Sequence, residues 1–253
     1  QMCIRDRVIY INMIDGKTSV YAHLGRFSDS IEPIKKEIQK KNNSYSFDKT
    51  FIEGQIPVSK GQIIGYTGDT GGLSGGHLHF EIRNKKGKPF NPLLTNYNIK
   101  DNINPIPEKL ILKSLDKGSY IDGTPIEKEY KLTKISDSQY LYDGIISING
   151  EFGVSLEVYD KINSQPFNFG IYNIILKIDD KRMFETKFNY IGFDEGEKVF
   201  SERDYEKYTS KKRKVYNLYN NNLSSPSSFI QNDHFSSLMF DDRSYHELSL
   251  IHI

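Results

Sequence analysis

Two histidines occupy alternate positions in the segment GGHLHFEIR, residues 75–83. In a β-strand, His77, His79 and Glu81 would share one face, because successive side chains point to opposite faces. Two strand steps place the histidines about 6.5–7 Å apart, which is close enough for both rings to serve one metal centre. One imidazole can then bind the metal while the other handles a proton on the metal-bound water. The alternative for such a pair is a solvated strand face.

The surrounding sequence favours the chemical interpretation. A third histidine, His23, follows an aromatic-bearing stretch in VYAHL, and a glycine-rich run, GDTGGLSGG, fills residues 68–76. Glycine has no side chain that would keep a substrate backbone at a distance. The run lacks the Gly-Lys-Ser/Thr ending of a phosphate loop and leads into a strand, so it does not predict nucleotide binding. This context makes a metal site at the His77/His79 pair a stronger hypothesis than the pair alone would.

The elements that must position these residues are mainly strands. Apolar stretches on both sides of Asp15-Gly16 predict a hairpin, since this dipeptide suits a tight turn with positive φ. Residues 28–41 predict a short helix with Ser30 as its N-cap. Spaced strands with alternating apolar residues continue through the second half of the chain. The predicted fold class is therefore mainly all-β: an antiparallel sheet with a short inserted helix, followed by a β-sandwich domain.

Four blocks of sequence occur in one order along the chain: VYAHL, VSKGQIIGYTGDTGG, GGHLHFEIR and NPLL. This set resembles the LytM/lysostaphin-type zinc metallopeptidases, which cut peptide cross-links in bacterial cell walls. The resemblance covers roughly residues 8–97. It implies a compact antiparallel sheet with a narrow groove, one zinc ion as cofactor, a peptidoglycan peptide as substrate, and a periplasmic or extracellular location.

The resemblance also implies roles for individual residues. His79 matches a zinc ligand of the family, while His77 and His23 match its two catalytic histidines. Three side chains are expected to contact the substrate in the groove: Thr70, Ser74 and Tyr21. Glu81, on the same strand face as His79, is either an acceptor that orients a ring nitrogen or a solvated glutamate.

The chain departs from the family in its remaining metal ligands. The family takes two further ligands from an upstream His-x-x-x-Asp segment, and no histidine of this sequence is followed four residues later by aspartate. One imidazole cannot hold zinc tightly, so zinc binding by this chain should be weak or absent. The chain is then either an N-terminally truncated zinc peptidase or a degenerate relative that binds peptidoglycan, or activates a hydrolase, without cutting. The retained histidines favour truncation, with this chain an inactive fragment.

Composition divides the chain and excludes some partners. An Asn- and Pro-rich stretch predicts a linker at 98–108, between an incomplete LytM-like domain at 1–97 and a β-sandwich accessory domain at 109–253, expected to be incomplete at its C-terminus.

A net charge of +1 gives no basic field for nucleic acid, and the run Lys211–Lys214 is interpreted as a solvated loop. No apolar run is long enough to span a membrane. Cys3, the only cysteine, excludes an intramolecular disulfide, and the sequence indicates no oligomeric state.

Overall fold

A computed structural model describes most of the chain: residues 6–71, 75–95, 99–198, 202–220, 230–232, 238–240, 246 and 248–252. The strand pairs of this part are antiparallel, which confirms the mainly β fold class. The chain divides into two compact units, Gln1–Phe90 and Asn91–Ile253. The predicted linker and the roles of the two predicted domains stay predictions. Within the described ranges, no helix is long and apolar enough to cross a membrane.

The first unit is built on a four-stranded sheet and a two-stranded sheet. Its strands are β1 (Ile9–Asn12), β2 (Thr18–Ala22), β3 (Leu24–Phe27), β4 (Gly65–Thr67), β5 (His79–Arg83) and β6 (Pro89–Phe90). The larger sheet has the order β1-β2-β5-β6, and β3 pairs with β4. The predicted hairpin is confirmed: the Met13 N–H donates to the Lys17 carbonyl over 2.8 Å, and Gly16 has a φ of +80°.

The pairing of β2 with β5 determines where the histidines lie. Ala22, the last residue of β2, is opposite His79, the first residue of β5. His23 follows Ala22 directly, so it lies beside the start of β5. Buried apolar side chains hold this part of the unit together: Val20, Ala22, Leu24 and Ile82. Strand pairing therefore brings together histidines that are far apart in the sequence.

The inserted segment forms helix α1 (Glu32–Asn42). The short helix is confirmed, but the prediction that Ser30 caps it is wrong, because the cap residue is Ile31 and no side chain caps the N-terminus. The Ser30 hydroxyl instead lies 3.0 Å from the hydroxyl of Ser28, and the Ser28 carbonyl accepts the Glu32 N–H over 2.8 Å. No residue of α1 is buried, so the helix adds little to the core of the unit.

The second unit contains two larger sheets and a separate hairpin. Its strands are β7 (Ile106–Ser114), β8 (Tyr120–Ile121), β9 (Lys128–Lys131), β10 (Thr133–Ser136), β11 (Gln139–Leu141), β12 (Ile148–Tyr159), β13 (Asn173–Ile178), β14 (Lys181–Lys187), β15 (Val215–Asn217), β16 (Ile230–Asn232), β17 (Leu238–Phe240) and β18 (Leu248–His252). Helix α2 (Tyr205–Lys211) precedes β15, and short 3-10 turns span Pro92–Leu94 and Phe193–Lys198. One sheet has the order β15-β12-β7-β9, with β8 and β17 also paired to β12; the other has the order β16-β14-β13-β18; β10 pairs with β11.

The two larger sheets of the second unit share one apolar core. Leu112 of β7 and Val154 of β12 are fully buried in the same cluster as Leu176 of β13 and Phe184 of β14. Full burial of a side chain of this size stabilises the fold by about 1.5–3 kcal/mol relative to leaving it exposed. Two sheets with a shared core are the arrangement expected of a β-sandwich, and the β-sandwich accessory domain stays a prediction.

Candidate active site

Three histidine rings meet in the first unit. The ring centroids of His23 and His77 lie 4.9 Å apart, and those of His23 and His79 lie 5.5 Å apart. His23 comes from the junction between β2 and β3, whereas His79 begins β5 and His77 lies two residues before it. The structure therefore brings together the two predicted catalytic histidines and the predicted metal ligand. The roles of these residues stay predictions.

The backbone of His23 has an uncommon conformation. Its φ is 61°, in the left-handed region that costs an L-residue conformational free energy. The His23 N–H donates a hydrogen bond to Oδ1 of Asp6 over 2.9 Å. The Asp6 side chain is only 4% exposed. A buried carboxylate from the segment before β1 therefore holds the backbone that carries His23.

The ring of His23 is held by two oxygen atoms. Nδ1 lies 2.9 Å from the carbonyl oxygen of Thr70 and 3.1 Å from Oδ2 of Asp6. Because a carbonyl oxygen only accepts hydrogen bonds, Nδ1 carries the proton in the neutral ring. Nε2 is then the nitrogen with the lone pair, and it is the atom that can take a proton from a water molecule.

The three predicted substrate contacts have different surroundings. The Thr70 hydroxyl lies 2.9 Å from Oδ1 of Asp6, so it serves a contact inside the protein. The Tyr21 ring packs against Phe80 with 5.2 Å between centroids, on the other face of the sheet, and the structure does not bring it to the histidines. Ser74 lies outside the described residues. Substrate contact stays a prediction for all three.

The glycine-rich loop holds His77. The His77 N–H donates to the carbonyl of Gly68 over 2.9 Å, and its Nδ1 lies 2.9 Å from the carbonyl oxygen of Gly75. Nδ1 therefore carries a proton here as well, and Nε2 is the acceptor of the neutral ring. Gly68 packs closely on a second backbone, because a Cβ added to it would lie 2.4 Å from Cα of Gly25. The position of His77 therefore depends on a contact that a side chain at residue 68 would disrupt.

Glu81 holds the ring of His79. Nε2 of His79 lies 2.6 Å from Oε1 of Glu81, and Nε of Arg83 donates to Oε2 of Glu81 over 2.7 Å. Partial burial alone would raise the pKa of Glu81, but the hydrogen bonds from Arg83 and His79 outweigh it and the pKa is lowered. The ionised carboxylate accepts the Nε2–H and leaves Nδ1 of His79 as the nitrogen that can bind a metal. The shared strand face of His79 and Glu81 thus gives a direct contact rather than a solvated glutamate.

The described residues do not complete a zinc site. Protein zinc sites take three or four ligands from His, Cys, Asp and Glu. In the ranges that the structure describes, no group of three such residues is placed to hold a metal ion. His79 fits the role of one ligand, and a tightly held zinc ion would need others. The three imidazoles by themselves can hold and move protons.

Asp6 is a site residue that sequence spacing does not predict. It has no periodic relation to any histidine and lies outside the blocks that carry the family resemblance. The hairpin register contains the signal, because Ile9 pairs with Tyr21. Extending this antiparallel pairing beyond the strand ends places Asp6 beside the residues that follow β2. The continued register sets Arg7 opposite His23 and Asp6 opposite Leu24, so a search for carboxylates within one residue of the position opposite His23 would have found Asp6.

Comparison with known proteins bears on this part of the chain. No curated protein and no solved structure was found to match. Residues 42–92 match a protein-family model, and this range contains His77 and His79, whereas His23 precedes it. The model describes peptidase family M23, so the match supports a peptidase function for this part of the chain.

Proposed function

We propose that the protein, in a form that supplies two further ligands, is a zinc-dependent endopeptidase that hydrolyses peptide cross-links of bacterial peptidoglycan. The observation that carries this proposal is the meeting of three imidazole rings from two segments, with centroids 4.9 and 5.5 Å from that of His23. The match of residues 42–92 to a peptidase family supports the reaction class. The substrate implies a periplasmic or extracellular location.

The two catalytic histidines would have separate tasks. His23 keeps its proton on Nδ1, so Nε2 can take the proton of the attacking water and return it to the leaving amine. His77 also has its Nε2 available, and in the protonated state it can donate a hydrogen bond to the oxyanion of the tetrahedral intermediate. His79 is the residue that would hold the metal, through Nδ1.

This chain by itself should be inactive, because one ligand does not hold zinc. The lack of a three-ligand group among the described residues also favours a second candidate function. In that case the groove that the resemblance implies would bind peptidoglycan, or a partner hydrolase, without cutting. In both cases the second unit would be an accessory module that positions the protein on the cell wall.

Zinc content and wall hydrolysis test the proposal together. The 253-residue chain and the longest product of its gene would each be analysed for zinc per chain and for release of soluble peptides from purified peptidoglycan. We expect the long product to hold one zinc ion and to cut, and the chain alone to do neither. A long product that binds peptidoglycan without zinc and without cutting would replace the peptidase by the binding function. Tight one-to-one zinc binding by the chain alone would show that our ligand count is wrong.

A further inference from the structure

The carboxylate of Asp6 contacts both the backbone and the ring of His23. Oδ1 accepts the His23 N–H over 2.9 Å, and Oδ2 lies 3.1 Å from His23 Nδ1. The Thr70 hydroxyl lies 2.9 Å from Oδ1 and can donate a third hydrogen bond. A carboxylate that is 4% exposed is costly to bury unless such donors surround it. Two of its three donors belong to one histidine.

The contacts of Asp6 do more than hold the backbone at the junction between β2 and β3. A backbone cap would need only the contact between Oδ1 and the His23 N–H. The second oxygen, 3.1 Å from Nδ1, acts with the Thr70 carbonyl oxygen at 2.9 Å, because acceptors beside Nδ1 favour the tautomer that carries its proton there. Gly71 leaves the room that this arrangement needs, since a Cβ at that residue would lie 3.2 Å from His23 Nδ1 and 3.3 Å from Cγ of Asp6.

We propose that Asp6 is the positioning residue of His23. It holds the left-handed backbone and, together with the Thr70 carbonyl, fixes the ring orientation and the Nδ1–H tautomer, so that Nε2 is the nitrogen left to accept a proton. The use of Nε2 as a base rests on the proposed peptidase function. The positioning itself does not, and it can be measured in the metal-free chain.

The variant Asp6→Asn separates positioning from simple packing. Its carbonyl oxygen would stay with the two donors at Oδ1, so the amide NH₂ would replace Oδ2 and face His23 Nδ1. The amide cannot accept the Nδ1–H and would donate to an unprotonated Nδ1, so it opposes the Thr70 carbonyl, which still accepts from Nδ1, and the preference for the Nδ1–H tautomer falls. Asp69→Asn is the matched control, because Asp69 is exposed and one residue from Thr70.

Long-range ¹H–¹⁵N spectra of the 253-residue chain, recorded where the imidazoles are neutral, distinguish the two tautomers. We expect His23 to be Nδ1–H in the wild type and in Asp69→Asn, and to be mainly Nε2–H or averaged in Asp6→Asn. An Nε2–H ring in the wild type would overturn the proposal even if Asp6→Asn did not fold. An unchanged tautomer in a folded Asp6→Asn chain would also overturn it.

The zinc-loaded long product gives an independent readout. There we expect Asp6→Asn to lower kcat by on the order of 10²-fold with KM little changed, since general base catalysis contributes about that much. If Asp6→Asn changes the His23 tautomer but the long product never cuts peptidoglycan, the positioning role holds and the peptidase function is wrong. If the long product cuts peptidoglycan and Asp6→Asn does not change its kcat, the peptidase function holds and the positioning role is wrong.

Discussion

His77 and His79 hold their protons on different nitrogens although they are two residues apart. His77 points Nδ1 at the Gly75 carbonyl, whereas His79 points Nε2 at Glu81. We therefore expect His79→Ala to abolish zinc binding by the long product. His77→Ala should keep the zinc and lower kcat by about 10²–10⁴-fold, the usual contribution of an acid–base group. Zinc per chain and the initial rate of peptide release measure the two effects. Full activity in both variants would show that the roles are wrongly assigned.

Residue types and spacing predict the face shared by His79 and Glu81, because strand alternation is a local rule. They do not predict Asp6, because its contact with His23 depends on where the hairpin pairing continues beyond β1 and β2. The tautomers are equally hidden in the sequence. Each depends on one or two oxygen atoms that folding places beside the ring, such as the Thr70 carbonyl and Asp6 Oδ2 beside His23.

At the scale of elements, the glycine-rich loop stays close to β3 because both backbones lack side chains where they meet. A Cβ on Gly68 would lie 2.4 Å from both Cα and N of Gly25, and backbone atoms cannot move aside easily. We expect Gly68→Ala to lower the free energy of unfolding by about 1–3 kcal/mol and to displace His77, whose N–H bonds to the Gly68 carbonyl. Denaturant unfolding and the His77 ring resonances would show both effects.

Gly76→Ala is the control for this prediction. It lies in the same loop, and the nearest atom to its added Cβ is the Gly68 carbonyl oxygen at 3.9 Å, an ordinary contact. We expect it to change stability by less than about 0.5 kcal/mol. Equal effects of the two substitutions would mean that loop flexibility, rather than the contact with Gly25, explains the loss. The sequence shows that the loop is rich in glycine but not which glycine the fold requires.

One residue of the basic run interpreted as a solvated loop, Arg213, is part of an ion-pair network, whereas Lys211 and Lys212 are exposed. Arg213 donates through Nε to Glu157 over 2.7 Å and through a terminal nitrogen to Glu129 over 2.6 Å. Its side chain is 15% exposed and that of Glu157 is 9% exposed. The interpretation of this residue as solvated is therefore wrong. Its partners come from β9 and β12, far away in the sequence, so no local pattern reveals them.

Removing Arg213 should destabilise the second unit. Arg213→Ala leaves two carboxylates without their main partner, so we expect a loss of about 2–3 kcal/mol in the free energy of unfolding at pH 7. Arg213→Lys keeps the charge but loses the forked geometry, and its loss should be smaller.

The hydrogen bond from Arg213 lowers the pKa of Glu129 to about 2, below the unfolded value of 4.5. The stability that this group adds is present above pH 4.5 and is lost as the pH falls towards 2. The difference in unfolding free energy between the wild type and Arg213→Ala should therefore shrink as the pH falls over this range. Urea titrations at several pH values measure this difference. A difference that does not change with pH would mean that the Arg213–Glu129 contact does not lower the pKa of Glu129.

At the scale of the whole molecule, acid and base affect stability through different carboxyl groups. Glu202 is 3% exposed, and burial raises its pKa to about 8 against the opposing charge of Arg203. The folded state therefore keeps this proton between pH 4.5 and about 8, whereas the unfolded state releases it. Stability contributed by a raised pKa is fully present below the unfolded value and is lost as pH rises through this window. Each pH unit costs up to about 1.4 kcal/mol.

Glu202→Gln should remove this loss of unfolding free energy with rising pH. The amide cannot ionise, so the variant should lose less stability than the wild type between pH 5 and pH 8, whatever its absolute stability. Amide exchange of β13 and β14 at successive pH values, corrected for intrinsic exchange rates, would follow the second unit directly. Glu206→Gln is the matched control, because Glu206 is exposed on α2 and should leave the wild-type slope unchanged. If the unfolding free energy of Glu202→Gln fell with pH as steeply as that of the wild type, Glu202 would already be ionised in the folded wild-type protein at neutral pH. Its burial would then be compensated by partners stronger than the Arg203 charge.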